Sequence, residues 1–193
     1  GDYSNSRGLG VALGHYAQSN DIGSLAIGAA TKADGFNSLA MMRQAYAGEQ
    51  YAAAIGTAAS AQGKASLAMG HSAFAKGEQS IGSANPEPLK DNKGTKYTKY
   101  DKTTNTQATA DRAIAIGQGA KSNTDDSIAM GTGANVAAGR NYKGENFTHG
   151  IAIGSNALSQ GIQGVAIGNR AAHYRDNAVA IGNNAKTYAV DGV

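Results

Sequence analysis

Apolar and polar residues along this chain alternate in short bursts that return at a fixed interval. Phrases of the form apolar–Ala–apolar–Gly run from Val11-Ala12-Leu13-Gly14 and Leu25-Ala26-Ile27-Gly28 through Leu67-Ala68-Met69-Gly70 to Val179-Ala180-Ile181-Gly182, stepping by 14 residues wherever nothing is inserted. Leu39-Ala40-Met41-Met42 joins the series with Met42 in the place of the closing glycine. Counted from that glycine, a second phrase sets small residues at +3 and +5 and often a glycine at +7, as in Ala59, Ala61 and Gly63. Both phrases alternate with a period of two, the strand signature, and both end in turn residues.

Each 14-residue unit therefore predicts two short strands and two corners, with the glycines at +7 and +14 supplying the positive φ of a sharp bend. Stacked about 4.8 Å apart, such units form a parallel ladder on each side of a two-sheet roll. The prediction is an all-β, parallel β-roll (solenoid) occupying 1–193 as a single domain, with an inserted loop at about 83–111 and a smaller insertion at about 139–148. Within this span Ser80-Ile81-Gly82 reads as a second strand that breaks off early.

The second strand is informative about neighbours. Ile, Val, Leu or Met fall at +11 and +13, and alanine at +12, often with serine at +10, occupies the opposite face. Small or apolar residues on both faces predict a strand buried twice. One face fills the roll; the alanine face lets another backbone approach, which predicts an adjoining subunit.

Composition strengthens that expectation. Ile, Leu, Val and Phe number only 28 of 193, against 38 alanines and 27 glycines. Fixing each backbone unit costs roughly 1–2 kcal/mol, and a large buried aliphatic side chain returns roughly 1.5–3 kcal/mol, so a lone chain is poorly supplied. The net charge of +3 lacks the high charge of a disordered chain. With no cysteine, disulfides and thiolate metal sites are excluded. No apolar run approaches the roughly 20 residues of a membrane-spanning helix. The opening Gly1-Asp2-Tyr3-Ser4-Asn5 lacks the plan of a signal peptide, so the chain reads as a mature segment whose export signal and anchor lie elsewhere.

Asn37-Ser38-Leu39-Ala40-Met41, Asp126-Ser127-Ile128-Ala129-Met130-Gly131 and Asn177-Ala178-Val179-Ala180-Ile181-Gly182 resemble the head repeat of YadA-like trimeric autotransporter adhesins. The similarity spans nearly the whole chain. The stretch from His15 to Gly28 is similar to the ubiquitous surface protein A adhesins of Moraxella. The resemblance implies a left-handed roll, a side-by-side homotrimer and a location on the bacterial outer surface. It also implies a downstream coiled-coil stalk and an outer-membrane anchor, and attachment to a host extracellular matrix protein such as fibronectin, laminin or collagen. Met42, and Asp21, Thr124 and Arg175 at +7, depart from the pattern.

Insertions in solenoids project as surface loops and often carry binding. The first, after Pro86-Glu87-Pro88, carries Lys90, Lys93, Lys96, Lys99 and Lys102 with Tyr97 and Tyr100 among them; the second carries Arg140, Tyr142 and Lys143. These ten residues are the candidate ligand contacts, lysine steering an acidic protein patch or a sulfated glycan. The bland alternative is a solvated loop that tolerates polar residues. Glu87, Asp91 and Asp101 dilute the charge, and no nucleic-acid partner is expected.

Catalytic chemistry is not predicted. The four histidines are dispersed, and His15 and His71 share a register four repeats apart, too distant to hold a metal. Asp125-Asp126 sits in a corner and Gly117-Gln118-Gly119 is not followed by a Gly-Lys-Ser or Gly-Lys-Thr phrase, so neither a carboxylate pair nor a phosphate loop is expected. No catalytic residue, metal or cofactor is assigned. A hexapeptide acyltransferase has the wrong period. An ice-binding stack would need one repeated outward residue, whereas +4 reads Gln18, Lys32, Tyr46, Ser60 and Phe74. The remaining rival to an adhesin head is a structural spacer in a surface fibre.

Overall fold

A computed structural model describes residues 1–84, 106–141 and 143–193, with the backbone of Leu89–Lys90 and Lys96–Tyr97. The described strands form one parallel sheet of 12 strands, one of 11, and a separate two-stranded antiparallel pair. The chain alternates between the two large sheets, laying down one strand of each per turn. Strands such as Gln18–Ser19 build the 12-stranded sheet and strands such as Leu25–Ile27 build the other. Equivalent residues of successive repeats are direct partners, Leu25 with Leu39 and Ala26 with Ala40. The protein is a parallel β-solenoid, as the alternation predicts.

Register locates the interruptions. Ile81 pairs with Ile114 and Phe74 with Gln107, so 33 residues separate equivalent positions, one repeat and 19 residues more. Strand Ile81–Ala84 pairs along its full length with Leu67–Gly70. Ser80-Ile81-Gly82 is thus not a strand cut short. Ala84 holds the closing-glycine place, and Gly82 stands in the alanine column because a Cβ there would come 2.4 Å from the Phe74 carbonyl oxygen. Ser83, Gln107 and Ala108 belong to the ladder, and the extra residues fall between Ala84 and Thr106. At the second interruption Ile128 pairs with Ile151 and Asn135 with Leu158, 23 apart, which leaves nine extra residues between Val136 and Gly150.

The two faces of the 11-stranded sheet are used the opposite way from the sequence-based expectation. Alanines at +12, among them Ala26, Ala54, Ala115 and Ala166, are fully buried inside the roll, facing the equally buried +3 and +5 columns. Apart from Val136, the described buried hydrophobic core is alanine throughout. The larger residues at +11 and +13 point outward, Leu13 being 59% and Ile181 65% exposed. The reason is width: two sheets joined by connections of only four or five residues, such as 20–24 and 28–31, lie too close for facing leucines, and small side chains fit between them.

Polar groups inside this narrow core are matched locally. Serines at +10 cap the preceding corner, Ser66 Oγ donating to the Gly63 carbonyl and Ser80 Oγ to that of Gly77, each at 2.7 Å. Ser19 and Ser24 share a further 2.7 Å hydrogen bond across the interior. Wherever a +5 residue is larger, the opposing +10 residue has shrunk to glycine. A Cβ on Gly150 would come 2.6 Å from Val136 Cγ1, and one on Gly164 would come 1.9 Å from the ring of His173. His173 is fully buried, its Nε2 2.6 Å from Ser159 Oγ and its Nδ1 3.2 Å from the Arg175 carbonyl. That carbonyl can only accept, so the proton sits on Nδ1 and Nε2 accepts from the serine. Burial pushes the imidazole below its ordinary value, outweighing the Arg175 carbonyl and the Asp176 carboxylate, which pull the other way.

The corners also divide their work differently from the expectation. The closing glycines do take positive φ, Gly168 at +132°, and a Cβ there would lie 2.3 Å from the Gly182 carbonyl oxygen. At +7 the constraint shared by the glycines is approach: Gly63 is not left-handed, whereas Gly161 stands at +147°, and a Cβ on Gly63 would lie 2.0 Å from the Gly77 carbonyl oxygen. The left-handed residues of the remaining bends fall at +2 and +9 and are mostly not glycine, as with Asn156 (55°) and Asn177 (54°). Met42, in a closing position, is held at 81°.

Gly168→Ala lowers stability by about 3 kcal/mol or more, while Met42→Gly raises it by about 1 kcal/mol, both read from urea midpoints. For His173 the unfolded imidazole takes a proton near its ordinary value of 6.5 while the buried one resists, so the unfolded state binds more protons. Stability therefore falls as pH drops below that value, and His173→Ser flattens the fall between pH 7 and 5 in the same titration.

Candidate functional site

Two surfaces stand out from the repeat. The first is the outer face of the 11-stranded sheet. In-register pairing stacks the +11 and +13 side chains into two rows, Ile151 on Val165 on Val179 and Ile153 on Ile167 on Ile181. Each residue is exposed or half-buried, so a single chain presents a continuous aliphatic stripe to solvent. A contiguous apolar patch of this kind marks an interaction surface. The outer face of the other sheet is mixed, with Gln18, Lys32 and Lys121 in the same column as Phe74 and Leu158; on it Lys32 Nζ bonds Asp34 at 2.6 Å and lies 5.6 Å over the Tyr46 ring.

The second surface is the smaller insertion. Its nine extra residues leave at the corner that would hold +7 and double back, Arg140 bridging antiparallel to Asn146. The Phe147 N–H donates to the Gly139 carbonyl and the Asn141 N–H to that of Glu145, both at 2.9 Å. Asn141 is the clasp. Its Oδ1 accepts from the Lys143 and Glu145 amides at 3.0 Å each, and its Nδ2 donates to Glu145 Oε2 at 2.7 Å and Asp176 Oδ2 at 3.0 Å. The last bond ties the hairpin to a corner two turns away. A cavity of about 410 Å³ separates the hairpin from the Asn123–Asp125 corner before it, and one of about 270 Å³ separates it from Gly161 and the Tyr174–Asp176 corner after it.

The predicted contacts distribute unevenly. Arg140 and Lys143 sit exposed on this hairpin, Arg140 Nε donating to Asn146 Oδ1 at 3.0 Å. Lys90, Lys96 and Tyr97 lie on the separate antiparallel pair, Leu89 opposite Tyr97 and Lys90 opposite Lys96. Lys93, Lys99, Tyr100, Lys102 and Tyr142 lie outside the described residues. Sequence reasoning missed Asn141, Phe147 and Tyr174; the corner departures at Thr124 and Arg175 were visible, but only the ladder shows that both flank the hairpin.

Asp125 and Asp126 are not a carboxylate pair at work on a substrate. Asp126 Oδ2 accepts from the Arg112 guanidinium at 2.8 Å, and Asp125 Oδ1 from the Asp111 amide at 3.1 Å. The Arg112 guanidinium holds the Asp126 carboxyl below its ordinary value. Among the described residues no group of three or more His, Asp or Glu is placed to hold a metal.

Fold and surfaces together define a solenoid interaction module. The family model described as the YadA head domain repeat matches residues 10–31, 47–73, 61–81, 105–134, 148–171 and 176–193, more than half of the chain. The chain belongs to the YadA head family, a family of adhesin heads and not of enzymes. Among solved structures, the collagen-binding domain of the Yersinia adhesin YadA is similar, with a TM-score of 0.51 and 21% identity over 84% of this chain and 68% of that one. A search of curated proteins gave no match.

Asn141→Ala tests the clasp. The amides of Lys143 and Glu145 should lose hydrogen-exchange protection, while the unfolding midpoint moves by no more than the roughly 0.5–1.5 kcal/mol of an ordinary hydrogen bond.

Proposed function

We propose that the chain is the head of a bacterial surface adhesin, assembled as a homotrimer through its aliphatic stripes and attaching the cell to a host extracellular matrix protein. The observation that carries this reading is the in-register stripe at +11 and +13 on the outside of an alanine-cored roll. Exposed aliphatic rows on a rigid ladder match their own copies in register, and burial between chains supplies the apolar area that the thin interior lacks. Membership of the YadA head family supports the adhesin role, and the collagen-binding activity of the similar Yersinia domain supports collagen as the first matrix protein to try, before fibronectin and laminin. Outer-membrane anchoring belongs to the same reading and would be supplied by a segment beyond this head.

The mechanism is display. A rigid rod holds three copies of each insertion outward, and simultaneous engagement multiplies weak single-site affinities. The lysine- and tyrosine-bearing insertion is the proposed contact, Lys90, Lys93, Lys96, Lys99 and Lys102 steering approach and Tyr97 and Tyr100 supplying apolar area.

Deleting Pro86–Thr104 removes 19 residues and restores the 14-residue period. It also brings Asn105 to +2, where Asn156 and Asn184 are left-handed. This variant should keep the assembly mass and lose binding to surfaces coated with collagen, fibronectin or laminin. Undiminished binding to the same surface would contradict the loop's role and favour the spacer.

A further inference from the structure

The hairpin at Arg140 encloses space that the matrix-protein reading does not use. Phe147 is laid flat over the Gly139 backbone, where a Cβ would come 2.6 Å from its ring. Arg140 and Phe147 line both the 410 Å³ and the 270 Å³ cavities, which make a two-sided cleft with the hairpin standing between its halves. The larger half falls within the roughly 300–1,000 Å³ of small-ligand sites and the smaller lies just under it. The cleft runs along the corner column, between the two sheets and off the aliphatic stripe.

Two corner residues face the cleft. Thr124 holds +7 in the turn before the hairpin and Arg175 holds it in the second turn after, and these two residues line opposite halves. Thr124 is 5% exposed, and its hydroxyl has no hydrogen-bond partner among the described residues. A buried hydroxyl without a partner is costly unless something else satisfies it. On the other side Tyr174 stacks on Tyr188 at 5.0 Å with their planes 6° apart, a flat apolar wall.

Asp125 lines the larger half and Asp176 the smaller, but among the described residues neither pairs with a guanidinium there. Neither Arg140 nor Arg175 has a carboxylate within ion-pair distance among the described residues; Arg175 donates to the Tyr174 carbonyl at 3.3 Å. Asp176, beside them, has both oxygens engaged, by the Ile162 amide at 2.9 Å and by Asn141 at 3.0 Å. Two guanidinia, two aromatic faces and short polar side chains in concave spaces suit a ring that carries hydroxyls on its rim, an apolar face and an anionic substituent.

We propose that this cleft binds an acidic oligosaccharide. Arg140 and Arg175 take its carboxylate or sulfate, Phe147 and Tyr174 pack against sugar faces, and Thr124 and Asn123 meet hydroxyls. A protein epitope fits less well, because the corner is concave and the strands on either side of it are already paired. The site is independent of which matrix protein the head engages.

The test is calorimetric titration of the intact chain with three probes: a sulfated heparin-derived tetrasaccharide, a hyaluronan tetrasaccharide bearing carboxylates alone, and neutral cellotetraose. At least one acidic probe should bind and cellotetraose should not. Arg175→Gly restores the corner glycine seen at Gly161, so it should fold with an unchanged unfolding midpoint while weakening binding at least tenfold; Phe147→Ala should weaken it similarly. Binding should persist when Pro86–Thr104 is deleted, which separates this cleft from the lysine insertion. Equal binding of cellotetraose, no binding of any probe, unchanged binding in Arg175→Gly, or loss of binding on the loop deletion would overturn the proposal.

Discussion

The separation between the two sheets governs everything else in this molecule. Connections of four or five residues bring facing strands so close that alanine fills the space between them, with Ser19 and Ser24 bonding directly across it. Once the interior admits only small side chains, the large aliphatics of each repeat have nowhere to go but outward. A chain with 38 alanines and 28 large aliphatic or phenylalanine residues is therefore not a weak version of an ordinary core. It divides its apolar residues between an interior that sets the fold and an exterior stripe that a single chain leaves exposed.

The same narrowness explains the exceptions. His173 and Val136 are accommodated only because Gly164 and Gly150 give up their side chains opposite them. Gly82 stands in the alanine column where the Phe74 carbonyl presses inward, at the last strand before the long insertion. Insertions cost the ladder little, because they leave from corners and the rungs close again in register, Ile128 on Ile151 as evenly as Val165 on Val179. Rigidity of the stack and freedom of the corners are thus compatible, and the hairpin clasped by Asn141 uses both.

Much of this was legible in the sequence. The period, the parallel stacking and the presence of two insertions follow from the spacing of phrases such as Val165-Ala166-Ile167-Gly168. The direction of each strand face was not legible, because alternation with a period of two says that two faces differ without saying which is inside. Size was the missing criterion, and large residues were placed in an interior that cannot hold them. The left-handed corners were misplaced for a related reason: glycine at +7 serves close approach, while asparagine, tyrosine and alanine take the positive φ elsewhere. Arg140 and Lys143 were found by charge, but Phe147 and Tyr174 needed the fold to bring two separated corners to one hairpin.

If the outward stripe is half of an interface, the isolated roll is incomplete without its partner chains. The most direct measurement is the solution mass of the chain by light scattering across a dilution series, with the urea midpoint followed at each concentration. The account predicts a mass near three times 19.5 kDa and a midpoint that falls on dilution. A monomer whose midpoint does not depend on concentration would contradict it, and would mean that alanine and the ladder alone suffice to hold the roll together.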